Sequence, residues 1–192
     1  VETKPFTNVD DLVKLLDFLR ANGVRAWVHG GWAIDALCGL NRPHKDIDLM
    51  GLLEDRPKLE KALGPMIVRE FPCKLKINFH GCSVDMLLCY RDRRRRLASK
   101  TPRYLILLSD DALGDRTGSI AGHVVPVVSP LTVYAELMHT VRKTPEAIKK
   151  HLGEAERIKP FLSEDQIRTA PKRFPMENTR WNRIKFLLGI HG

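Results

Sequence analysis

Two aspartates one residue apart, Asp46 and Asp48, stand in the run Lys45-Asp46-Ile47-Asp48-Leu49-Met50. The alternation predicts a strand over residues 46–50, on which successive side chains point to opposite faces. Ile47 and Leu49 then face a core, and both carboxylates share the open face. Like charges that close raise each other's proton affinity unless a cation lies between them. A hard divalent ion with oxygen ligands, Mg²⁺ above all, would relieve that repulsion. Taken alone, the pair reads first as a solvent-exposed strand end with two aspartates. A third carboxylate, Asp85, lies in Ser83-Val84-Asp85-Met86-Leu87-Leu88. Val84, Met86 and Leu88 form the apolar face there, which leaves Asp85 on the other, in need of a metal, a cation or solvent. Gly30-Gly31 falls between a strand candidate and a helix start, where backbone N–H groups can hold phosphate oxygens. A glycine pair by itself is most often only a turn.

The elements that must carry these groups follow from periodicity. Leucines at 12, 15, 16 and 19 predict a helix over residues 8–22, capped by Asn8 and ended at Asn22-Gly23. Strands are expected at 25–29, 46–50, 66–71, 74–79, 83–90 and 124–128, with short helices at 32–38 and 56–63. A polar stretch with Gly114, Gly118 and Gly122 reads as turns. Beyond Ser129-Pro130 the pattern turns helical, at about 131–142, 145–158, 163–169 and 179–188. Strands early and helices late predict an α+β chain: a mixed-sheet catalytic domain over residues 1–128 and a small helical region over 129–192.

Gly-Gly, a short helix, Asp-x-Asp on the next strand and a further strand bearing Asp resemble the DNA polymerase β-like nucleotidyltransferase superfamily. Within it, Gly30-Gly31-Trp32-Ala33-Ile34-Asp35 followed by His44-Lys45-Asp46-Ile47-Asp48-Leu49 is similar to the antibiotic nucleotidyltransferases, the aminoglycoside 2″- and lincosamide-modifying enzymes. The match is strong over residues 24–52, Asp85 fits the third acidic position, and residues 119–129 resemble the strand before the family's helical half. The resemblance implies metal-dependent transfer of a nucleoside monophosphate from a nucleoside triphosphate such as ATP to an acceptor hydroxyl, with release of pyrophosphate. It implies two Mg²⁺ ions bridged by Asp46 and Asp48, with Asp85 completing the acceptor-side metal and serving as base. It further implies that Gly30 and Gly31 hold the triphosphate, with Arg42 or His44 as phosphate contacts. Lys149, in Lys149-Lys150-His151 with Glu154 close by, takes the place of the family's helical lysine. An ordinary surface or supporting histidine is the competing reading of His44.

Charge divides unevenly along the 192 residues. Residues 1–90 hold 12 Lys+Arg and 12 Asp+Glu; residues 91–192 hold 20 and 11, with Arg91-Asp92-Arg93-Arg94-Arg95-Arg96 at the start. The excess suggests a phosphate-bearing partner or simply a basic surface. Two rivals to a small-molecule acceptor therefore stand: the same chemistry on RNA or protein, as in toxin–antitoxin nucleotidyltransferases, and a non-catalytic RNA-binding module. The same excess predicts that polycationic aminoglycosides are poor acceptors, unless Glu136, Glu146, Glu154 and Glu156 gather at the cleft. Four cysteines without CxxC spacing predict reduced thiols, and no apolar run suits a membrane span; both fit a cytoplasmic protein. Asp35 reads as solvated or structural, Asp110-Asp111 as a turn, and Trp27, Trp32 and Trp181 as packing residues before base-stacking ones.

Overall fold

The computed structural model describes residues 5–100, 105–138 and 144–170. The expected helix at 179–188 lies outside them. Helix α1 (Val9–Ala21) starts in a capping box, in which the Asn8 side chain accepts from Asp11 N and the Asp11 side chain accepts from Asn8 N. Leu12, Leu15 and Leu19 on one face are 0–1 % exposed, each stabilising the fold by about 1.5–3 kcal/mol. Strand β1 (Ala26–Val28) leads directly into helix α2 (Gly30–Cys38), which includes the two glycines as its first turn.

Strand β2 (Ile47–Leu52), helix α3 (Arg56–Leu63), and strands β3 (Ile67–Phe71), β4 (Lys74–Phe79) and β5 (Cys82–Arg91) follow. The sheet order is β1-β2-β5-β4-β3. Strands β2 and β5 run parallel, while β1 and β4 pair antiparallel with them, so the sheet is mixed and the fold α+β. Val84, Met86 and Leu88 on β5 are buried with Ile47 and Leu49 on β2, as the alternation predicts.

Strands β6 (Leu97–Lys100) and β7 (Leu105–Leu107) extend the sheet beyond the far end of β5. Strands β8 (Thr117–Ile120) and β9 (His123–Pro126) form a separate hairpin. The sequence reading missed β6, β7 and β8. Strand β8 is Thr-Gly-Ser-Ile, with no alternation to detect, and its glycine answers to packing: a Cβ on Gly118 would lie 2.6 Å from the Ala36 carbonyl oxygen of α2. The strand expected at 124–128 ends at Pro126. Val127 and Val128 donate instead to the Arg116 and Val28 carbonyls, at 3.0 and 3.1 Å.

The chain turns helical at Ser129, whose hydroxyl accepts from Thr132 N at the start of α4 (Pro130–Leu137). Helices α5 (Pro145–Ile158) and α6 (Glu164–Thr169) follow. Both α4 and α5 pack on α2, so the helical part closes over the helix that carries the glycine pair. No helix among the described residues is long and apolar enough to cross a membrane. All four cysteines are free thiols, and Cys73, Cys82 and Cys89 are buried.

Candidate active site

A cavity of about 740 Å³ opens where the ends of β2 and β5 meet the first turn of α2, with α4 and α5 forming its other wall. That volume suits a drug-sized ligand. Gly30, Gly31, Asp46, Asp48 and Asp85 all line it. Asp48 and Asp85 are register partners on the parallel strands β2 and β5, so their side chains leave the sheet on one face. Asp46 is a correction: β2 begins at Ile47, and Asp46 occupies the bend before it. What fixes it is a side chain from α2, as Trp32 Nε1 donates to the Asp46 carbonyl at 2.9 Å. Trp32 is 1 % exposed and is therefore a core residue.

The glycine pair is set by geometry. Gly30 adopts φ +61°, and a Cβ there would lie 2.5 Å from Asp48 Oδ2; one on Gly31 would lie 2.7 Å from His44 Cε1. The His29 side chain at the N-cap makes no hydrogen bond to the first turn, which leaves those amides facing the cavity. We expect Gly30→Ala to combine backbone strain with displacement of Asp48 and to cut activity at least tenfold, with a melting temperature a few degrees lower; kinetics and thermal unfolding of the variant check this.

Asp48 is half-buried, and its carboxyl is pushed up to about 6, by burial first and by Asp46, Glu136 and Asp85 in addition, against a pull from His29. Asp85 is held by two lysines of β4: Lys74 Nζ at 2.6 Å and Lys76 Nζ at 3.3 Å. Among the described residues, no three His, Cys, Asp or Glu side chains converge as a ready-made metal cage. The donor set nevertheless fits a hard cation in kind: Asp46 and Asp48 are oxygen donors, crowded by other carboxylates.

His29 was not singled out from the sequence. Its Nδ1 lies 3.0 Å from Glu136 Oε2 on α4. Burial alone would lower its pKa; the Glu136 carboxylate, and Asp48 after it, overcome this and push it up to about 9. A histidine raised in the fold contributes stability that is complete below its ordinary value near 6.5 and is lost as pH rises through about 9. Glu136 is 44 % exposed, so solvent screening reduces the contribution to about 1–2 kcal/mol. Melting temperature should therefore fall between pH 7 and 9.5 in the parent and fall less in Glu136→Gln, a difference that thermal scans across pH would read.

Arg42 and His44 line the cavity but are anchored from behind. Asp35, 0 % exposed, accepts from Arg42 Nε at 2.7 Å on one oxygen and from Arg42 N at 2.9 Å on the other, which also lies 3.0 Å from His44 Nε2. Burial would raise the Asp35 pKa, but the His44 and Arg42 hydrogen bonds hold it below the usual carboxylate range. Arg42 Nη1 also reaches Glu154 of α5 at 3.2 Å, and the His44 ring stacks on Trp32 with centroids 4.3 Å apart. Asp35 is thus a buried structural anchor, not a solvated group. Losing one partner of a buried pair costs about 3–5 kcal/mol. Arg42 is 37 % exposed, so Asp35→Ala should cost about 3 kcal/mol, roughly 6–12 °C in melting temperature by calorimetry.

Lys149 is exposed and stands off the cavity wall, whereas Lys150, about 100° further round α5, is on it. The arginine run forms the β5–β6 turn. Asp92 accepts from Arg94 N, Arg96 N and Arg96 Nε, all at 2.9 Å, and Arg91 bonds the Arg95 carbonyl and Asp110. No residue of that run lines the cavity, and nucleic-acid binding finds no support there. Of the four glutamates, Glu136 and Glu154 reach the cavity; Glu156 pairs with Lys159, and Glu146 lies exposed in the first turn of α5.

Several solved structures share this architecture. The crystal structure of the lincosamide antibiotic adenylyltransferase LnuA, lincomycin-bound, matches with TM-score 0.61 and 18 % identity, over 81 % of this chain and 100 % of that one. The solution structure of the antibiotic-resistance factor ANT(2″)-Ia matches with TM-score 0.64 and 20 % identity, over 95 % and 97 %. Its complex with adenylyl-2″-tobramycin gives 0.59 and 19 %, over 94 % and 97 %. At these identities the likeness is one of fold. No curated protein matches the sequence. The family model for aminoglycoside-2″-adenylyltransferases, however, matches residues 11–154, the span that carries the glycine pair and all three cavity aspartates. On that match this chain belongs to the aminoglycoside-2″-adenylyltransferase family, enzymes of the nucleotidyltransferase class.

Proposed function

We propose that this protein transfers a nucleoside monophosphate, AMP from ATP by its family, to a hydroxyl of a small-molecule acceptor and releases pyrophosphate. The observation that carries the reading is the placement of Asp48 and Asp85 as register partners on one sheet face, beside Asp46 and the open first turn of α2. The Gly30 and Gly31 amides bind triphosphate oxygens, helped by the positive end of the helix dipole. Asp46 and Asp48 would hold divalent cations, which when bound neutralise charge on the phosphates and on the attacking and leaving oxygens. Asp85, on the neighbouring strand, accepts the proton of the acceptor hydroxyl. Arg42 and His44, fixed by Asp35, brace the turn against which the phosphates lie; Lys150 takes the role the sequence reading gave to Lys149.

The family and the fold of the two antibiotic adenylyltransferases support the reaction class. They favour a small-molecule acceptor over RNA or protein. The test is pyrophosphate release on addition of nucleoside triphosphate, Mg²⁺ and a panel of hydroxylated antibiotics. Release that needs the cation and an acceptor together supports the reading. Hydrolysis indifferent to both, or no reaction with any acceptor, counts against it.

A further inference from the structure

We propose that the acceptor subsite selects a molecule carrying at most one positive charge, and that His29, Arg42 and Lys74 set this preference by occupying the carboxylates a polycation would need. The inference rests on the nucleotidyl-transfer reading and adds the acceptor's charge class to it. A site for an ammonium-rich molecule offers carboxylates that the ligand itself completes. This cavity is lined by five, and three already have cationic partners within the chain. Glu136 is taken by His29 at 3.0 Å, Glu154 by Arg42 at 3.2 Å, and Asp85 by Lys74 at 2.6 Å with Lys76 behind it at 3.3 Å.

The remaining two, Asp46 and Asp48, stand at the glycine turn, where the triphosphate and its cations would claim them. Lys45 and Lys150 are also on the wall, and neither has a carboxylate partner among the described residues. An acceptor bearing several ammonium groups would have to break an internal pair for each one it placed, and would leave a displaced cation beside it. Like charges brought together this way disfavour binding. A neutral or singly charged polyhydroxylated molecule meets no such conflict. This is a local argument, independent of the arginine run of the β5–β6 turn, none of whose residues lines the cavity.

Calorimetry of the whole protein with Mg²⁺ and a non-hydrolysable triphosphate analogue tests the charge class without requiring turnover. The analogue is titrated first. If it does not bind, the transfer reading fails and the inference with it. Once it is bound, the polyamine tobramycin and the monoamine lincomycin are compared at low and high salt. We expect tobramycin to bind at least about tenfold more weakly than lincomycin, with little salt dependence for lincomycin. Equal or tighter tobramycin binding that weakens steeply with salt overturns the charge assignment alone, and so does failure of both to bind. In His29→Gln, which frees Glu136, the ratio of tobramycin to lincomycin affinity should rise at least about fivefold. An unchanged ratio in a folded variant removes His29 from the selection.

Discussion

Asp48→Asn should lose binding of the Mg²⁺–triphosphate complex and lower turnover by about 10³-fold or more. Charge stabilisation by a bound cation is worth several kcal/mol in phosphoryl-group chemistry, and each 1.4 kcal/mol is a factor of ten. Burial disfavours the carboxylate lost, and Asp46, Glu136 and Asp85 press on it against the pull of His29, so an amide there sheds a desolvation cost and repulsion in the absence of the cation. The variant should therefore fold at least as stably as the parent while failing to bind. Calorimetry for affinity and thermal unfolding for stability separate the two effects. A variant that keeps parental affinity for the cation–triphosphate complex would remove Asp48 from the site.

Asp85→Asn should behave differently. Triphosphate binding should stay within a few-fold of the parent, and transfer should fall by about 10²–10⁴-fold, the range typical of a lost general base. Asp85 sits across the register from Asp48, on β5, and its two lysine partners come from β4, away from the glycine turn. The contrast between the two aspartates, affinity in one and rate in the other, is a split that a merely structural role would not give. Near-parental turnover in Asp85→Asn would exclude it as the base.

The pieces that sequence exposed are those governed by local periodicity. Ile47, Asp48 and Leu49, and Val84, Asp85 and Met86, alternate with a period of two that puts each carboxylate opposite a buried row, and that is where they lie. Asn8 and the leucine spacing located α1 almost to the residue. What sequence hid depends on elements far apart along the chain. Nothing near His29 announces Glu136, since α4, which brings it there, lies beyond the last strand in the chain. Lys74 and Lys76 reach Asp85 through the antiparallel register of β4 on β5, which no spacing rule supplies. Arg42 looked free for phosphate because neither the burial of Asp35 nor the approach of Glu154 can be read locally. The arginine run shows the same dependence: it forms the β5–β6 turn, and none of its residues lines the cavity.

The most direct measurement of the central claim follows which phosphate moves. The protein is incubated with Mg²⁺, an acceptor from the panel, and ATP labelled in parallel reactions at the α or the γ phosphorus, and the acceptor is then isolated. The account predicts α label and an intact nucleoside on the acceptor hydroxyl, with the γ label leaving in pyrophosphate and no transfer in Asp48→Asn. Acceptor carrying γ label without the nucleoside, or α label transferred equally well by Asp48→Asn, would contradict it.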